Sequence, residues 1–254
     1  MQFLLELKTR NELLFYFGAA NLAMTVLFLV LSQITSIEVA GTNVWFKPIK
    51  FAVSIGTYSW TIAWFIHYLP QGSFVSTVSW LIVIMLGFEI AYIGIQAGRG
   101  QMSHFNLSNP VYTALYAAMA MAATVVSFIT LILAVRFFTT PLPHLPDYYL
   151  WAIRLGLLLF FVFSMEGFVM GSRLTHTIGA NSGGQTIPFL NWSRQYGDPR
   201  VAHFIGMHAL QVLPITAYYI LKDTKLVIGL STVYSLIALY VLVQSLNGKP
   251  FLKA

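Results

Sequence analysis

The 254-residue chain has no cysteine and very little charge: only 9% of its residues are Asp, Glu, Lys or Arg. The first absence excludes disulfides, thiolate metal sites and CxxC redox chemistry. The second excludes a water-facing globular domain, because soluble chains carry roughly 25% charged residues to cover their surfaces. Acidic residues are the scarcest charges, eight against fourteen basic ones, leaving a net charge of +6. The basic residues stand singly between apolar runs rather than in a patch or tail, so the positive balance does not point to nucleic acid.

What is present is apolar length. Hydrophobic residues make up 57% of the chain, in runs placed at 12–35, 49–69, 76–97, 111–137, 149–173, 199–221 and 225–246. Each approaches the roughly 20 helical residues that cross a hydrocarbon core of about 30 Å. The expectation is an all-α polytopic bundle of seven transmembrane helices forming one transmembrane domain, with the lipid bilayer as its first partner. A β-barrel is disfavoured because the runs are continuously apolar rather than alternating in segments of about ten residues. The first run follows a mixed-charge start and reads as a retained span rather than a cleaved signal peptide. Pro48, Pro110 and Pro199 mark helix starts, where a missing N–H leaves no bond unmade, and Asn109 and Asp198 precede two of them as caps.

With seven crossings, the loops after the first, third and fifth spans share one side. That side holds VWFKPIK, QAGRGQMSHFN and the long segment SRLTHTIGANSGGQTIPFLNWSRQYGDPR. The opposite loops, YLPQGS, TTPLPHLPD and LKDTK, are short. A site is therefore expected to open toward the first side.

Ionisable residues inside spans are costly and mark function by default. Counting about 1.5 Å of rise per residue from that side, Glu89 lies roughly 13 Å deep, Glu166 roughly 11 Å and His208 roughly 13 Å. Glu89 and Glu166 are the candidate catalytic or proton-relaying groups. In the third span Glu89, Tyr92, Gln96 and Arg99 recur at i, i+3, i+7 and i+10, one helical stripe leading from the deep carboxylate to the loops.

Above this layer lies a basic mouth of Lys47, Arg99, Arg173, Arg194 and Arg200. With Asn106 and Trp192, these form the candidate binding set for an anionic small molecule or lipid, since helix N-termini nearby favour negative charge. The candidate metal ligands are His208, His203, His104 and His176. His203 and His208 are about 140° apart around their helix and about 7.5 Å along it, so each must look to different partners. Imidazole with carboxylate suits Fe or Zn, and one histidine of the sixth span opposite His104 or His176 suits haem b.

SHFN at 103–106 and HALQVLP at 208–214, with the QAGRG and GDPR segments before them, resemble stretches of uncharacterised bacterial multi-pass membrane proteins. The resemblance implies a bacterial cytoplasmic membrane and a site on this face, and no activity. The HxxxH spacing of the seven-helix zinc hydrolases of ceramidase and progestin-receptor type is missing. The leading expectation is a metal- or haem-binding membrane protein with oxidoreductase chemistry. The alternative is a proton-coupled transporter or receptor for a small anion, in which Glu89 and Glu166 carry protons.

Overall fold

The computed structural model describes residues 2–179 and 184–253. Half of the glycine-containing stretch GANSGGQT, residues 180–183, therefore lies outside the described residues. The chain divides into two units, Met1–Val126 and Ser127–Ala254.

The first unit begins with α1 (Gln2–Arg10) and α2 (Glu12–Ile34). Asn11 separates them: its Oδ1 accepts from the Leu14 N–H at 2.9 Å, capping α2, and its amide donates to Ser79 Oγ at 2.9 Å. Arg10 ends α1 under aromatic rings, its guanidinium 3.7 Å from the Trp64 centroid and ion-paired with Glu6 at 2.7 Å. A charge near the end of an apolar run thereby keeps its stem packed and its head satisfied. The hairpin β1 (Glu38–Val39) and β2 (Thr42–Asn43) follows. Asn43 then gives its amide hydrogens to Ser32 O at 3.1 Å and Thr35 O at 2.8 Å, occupying carbonyls at and just beyond the end of α2.

Next come α3 (Phe46–Ile66), α4 (Ser73–Gly98) and α5 (Pro110–Thr139), within which the division between units falls. α2 and α3 cross closely at Gly18, where an added Cβ would stand 2.3 Å from Trp60 Cδ1. The indole then reaches across to donate to Phe15 O at 3.0 Å. Small residues permit such approaches, and dispersion together with interhelical hydrogen bonds holds helices where lipid offers no hydrophobic contrast.

The second unit contains the remainder of α5, then α6 (Asp147–Ser164), α7 (Gly167–Arg173) and α8 (Arg200–Thr216), whose last turn widens into a π turn at Ala217–Leu221. It ends with α9 (Thr224–Leu246). α6 and α8 pack at Gly156, where a Cβ would be 3.0 Å from Ala209 O. Ala152, Ala209, Leu213, Ala217 and Val227 form one buried cluster; Phe163, Val201, Ala202, Ala238 and Val241 form another. Tyr234 of α9 donates its hydroxyl to Ile205 O at 2.6 Å, tying α9 to α8.

Among the described residues six helical stretches are long and apolar enough to cross a membrane: Glu12–Ile34, Ser73–Gly98, Pro110–Thr139, Asp147–Arg173, Arg200–Leu221 and Thr224–Leu246. They make the chain an all-helical integral membrane protein. The expected second span is helical but is not among the six. α3 carries Lys47, Lys50, Ser54, Thr57, Ser59 and Thr61 along its length, which lowers its apolarity. The expected fifth span differs in a second way: its helix is interrupted at Met165–Glu166.

Candidate functional site

The interruption of the fifth apolar run organises the chemistry of the second unit. In an unbroken helix the Phe163 carbonyl would accept from the N–H four residues on. Here the chain tightens, with Phe168 N donating to Met165 O at 3.1 Å and Val169 N to Glu166 O at 2.9 Å. Phe163 O is taken instead by Nδ1 of His203 on α8, at 2.8 Å. A carbonyl only accepts, so His203 carries its proton on Nδ1 and presents Nε2 as a bare lone pair.

Glu166 sits in the interruption itself. It is 5% exposed, and among the described residues neither of its carboxyl oxygens has a hydrogen-bond partner. A buried carboxyl without partners costs far more than a paired one, so its retention in an apolar span calls for a ligand or a proton. Asp198 is the carboxylate within its coulombic reach.

Asp198 is 1% exposed and is fully engaged. Its Oδ2 accepts from Ser193 N at 2.9 Å, its Oδ1 from Arg200 N at 3.2 Å and Nε at 2.8 Å, and Arg200 Nη2 pairs with Oδ2. Arg200 also donates to Asn191 O. Two of the expected anion-binding arginines are therefore committed to loop architecture: Arg200 as described, and Arg194 through a 3.0 Å bond to Lys253 O. Arg173, at the end of α7, is exposed.

His208 lies one and a half turns beyond His203. Its Nδ1 is 3.2 Å from Gln211 Oε1, and the Phe204 ring stands edge-on to it with centroids 4.3 Å apart. Trp192 packs edge-on against Phe204 at 5.6 Å, so the long loop reaches His208 through a chain of rings. His203 and His208 are within coulombic reach of each other. His176 is half-buried in the loop after α7. No family model, curated protein or solved structure matches this chain.

In the first unit Glu89 is 6% exposed and within coulombic reach of Lys47. The stripe expected above it forms: Tyr92 and Gln96 are buried, with Gln96 Nε2 donating to Tyr92 OH at 3.3 Å, and Arg99 emerges at the helix end. Asn106 folds the following loop, its amide donating to Met102 O at 3.1 Å and its Oδ1 accepting from Ser108 Oγ at 2.7 Å. His104 belongs to an aromatic cluster, 5.6 Å from the Phe51 ring and 6.2 Å from Tyr116, with Ser103 Oγ 3.2 Å from its Nδ1.

Among the described residues no three His, Asp or Glu side chains converge in a way that would hold a metal ion. The sequence reading overlooked Asp198 as anything beyond a cap, and it overlooked the Phe163 carbonyl. Asp198 could have been suspected from its neighbour Arg200, since an acid two residues before an arginine at a helix start can reach back to it. A backbone carbonyl freed by a helix break has no signature in sequence.

Proposed function

We propose that the protein is a proton-coupled membrane transporter or receptor for a small anionic molecule, with Glu166 as the proton-carrying group. The observation that carries this reading is a membrane helix interrupted by a tightened turn at a buried carboxyl with both oxygens unpartnered among the described residues, next to the Phe163 carbonyl that His203 holds. Interrupted membrane helices at mid-depth, with freed backbone groups and an acidic side chain, are a recurrent way to hold a coupling ion. A proton is the cation that needs no further ligands. Arg173, exposed at the end of the short helix that follows, supplies positive charge on the same segment for an anion. The chain would lie in a bacterial cytoplasmic membrane.

The test is thermal unfolding of the purified protein in mild detergent from acid to mildly alkaline pH, with succinate or inorganic phosphate as anion probes. The wild-type midpoint is expected to change with pH, and the increment produced by an anion is expected to depend on pH. Glu166→Gln, which keeps the shape of the protonated acid, should clearly reduce both dependences while remaining folded. A Glu166→Gln variant that titrates like the wild type would sink the proposal.

A second reading, a metal- or haem-dependent oxidoreductase, is supported by one specific feature. His203 and His208 each engage Nδ1 with an oxygen, which leaves Nε2 as the ligating nitrogen, as in histidines that bind Fe, Zn or haem. A Soret band or stoichiometric metal in the same preparation would favour this reading over the first.

We also propose that α3 is a seventh crossing. Its 21 residues span about 31 Å, the thickness of a hydrocarbon core, and its buried face runs its whole length from Ile49 to Ile66. Because the chain has no cysteine, single cysteines at Thr42 and Gln71 report sidedness directly. A membrane-impermeant thiol reagent is expected to reach them from opposite sides; labelling from one side would remove α3 from the count.

A further inference from the structure

The first unit has a cavity of about 630 Å3 along α4 and the start of α5, within the roughly 300–1,000 Å3 of ligand pockets. Its walls divide by chemistry. Phe88, Ile95, Val111 and Leu115 give an apolar trough, and Ile95 and Val111 are 58% and 65% exposed, so the trough is open on the side where a membrane helix meets lipid. Arg99 closes one end. It is the C-terminal cap of α4, the position at which a 26-residue helix has left the hydrocarbon. Its guanidinium lies over the Tyr112 ring, 6.0 Å from the centroid. Among the described residues no acidic side chain lines the cavity, so the lining itself supplies no counter-charge for Arg99.

We propose that this groove binds an anionic phospholipid of the surrounding leaflet, one acyl chain lying in the trough and the phosphate on Arg99. A guanidinium matches phosphate in a two-point geometry that an ammonium does not reproduce. The phosphate layer of a bilayer lies where the end of α4 places this side chain. Tyr112 holds the guanidinium over the mouth, and the tyrosine itself suits the interface, with an apolar ring and a polar tip. The groove is independent of Glu166 and of the proton-coupled reading.

Native mass spectrometry of the detergent-purified protein, titrated with phosphatidylglycerol and with phosphatidylcholine of the same chains, tests the assignment. Phosphatidylglycerol is expected to bind about tenfold more tightly, because both lipids offer the phosphate but the choline ammonium of phosphatidylcholine offsets its charge and repels Arg99. Arg99→Ala should bring it to the phosphatidylcholine level, and Arg99→Lys should keep only part of the difference. Val111→Trp, which fills the trough from an exposed helix position, should weaken both lipids, and its thermal midpoint reports that the unit remains folded. Equal binding of the two lipids by the wild type, or an unchanged preference in Arg99→Ala, would overturn the proposal. Oleate binding as tightly as phosphatidylglycerol would also overturn it, by assigning the groove to a free carboxylate rather than a membrane lipid.

Discussion

Replacing Gly206 by alanine is expected to destabilise the second unit by about 3 kcal/mol, at the upper end of what overpacking a core costs. On α8 a Cβ at this position would stand 1.9 Å from Phe163 Cγ and 2.4 Å from Phe163 Cβ, inside any contact two carbons can make. Phe163 cannot swing aside: it is 4% exposed and packed among Val201, Ala202, Ala238 and Val241. The α6–α8 crossing must open instead. Opening it also lengthens the bond from His203 to Phe163 O, so the tie between α8 and the end of α6 weakens with the packing. Thermal unfolding in detergent should show the midpoint falling by roughly 6–12 °C, taking about 2–4 °C per kcal/mol for a protein of this size. Combining Gly206→Ala with Phe163→Leu makes room for the methyl, and the pair should be less destabilised than the sum of the two single changes. Strict additivity would show that the glycine is not there for Phe163.

Removing the Asp198 side chain is expected to be comparably severe. The carboxylate is fully buried, while the Arg200 side chain that pairs with it is 21% exposed. Breaking a buried pair leaves the partner charge uncompensated, at about 3–5 kcal/mol; water at the partly exposed guanidinium moves the expectation for Asp198→Ala to the low end of that range. Ser193 N, held by Oδ2, is orphaned at the same time. Asp198→Asn keeps one acceptor and should recover part of the loss. Because Ser193 forms an isolated bridge with Thr186 and lies beside Trp192, the ring chain from Trp192 to His208 should loosen as well. Tryptophan emission shifting to longer wavelength in Asp198→Ala, before global unfolding, is the expected signature. Unchanged emission and an unchanged midpoint would mean that the ion pair does not hold the loop.

The two variants lie on either side of the limit to what could be read in advance. The apolar runs placed the helices to within about three residues, because burying about 20 backbone peptide groups in lipid forces each run to satisfy its own hydrogen bonds. The stripe from Glu89 to Arg99 was legible for the same reason, since helical periodicity alone puts those four residues on one face. So was the separation of His203 from His208 into different partnerships. α3 sits at the margin: its polar residues weaken the hydropathy signal, and it is not among the six stretches apolar enough to cross.

The interruption at Glu166 was not legible, because composition through 149–173 stays apolar and a helix with one acidic residue reads as continuous. Whether the Phe163 carbonyl bonds along its own helix or to His203 depends on which donor α8 brings within 2.8 Å, and that is a property of packing. Likewise the sequence showed five cations near one face, and only the tertiary contacts separated Arg200 and Arg194, which hold loops, from Arg99 and Arg173, which remain exposed. Composition and hydropathy alone establish an integral membrane chain of apolar helices with acids and histidines inside the apolar runs. Packing settled which of those groups have a neighbour as partner and which, like Glu166, have none among the described residues, because hydrogen-bond partners from distant segments exist only once the helices have packed.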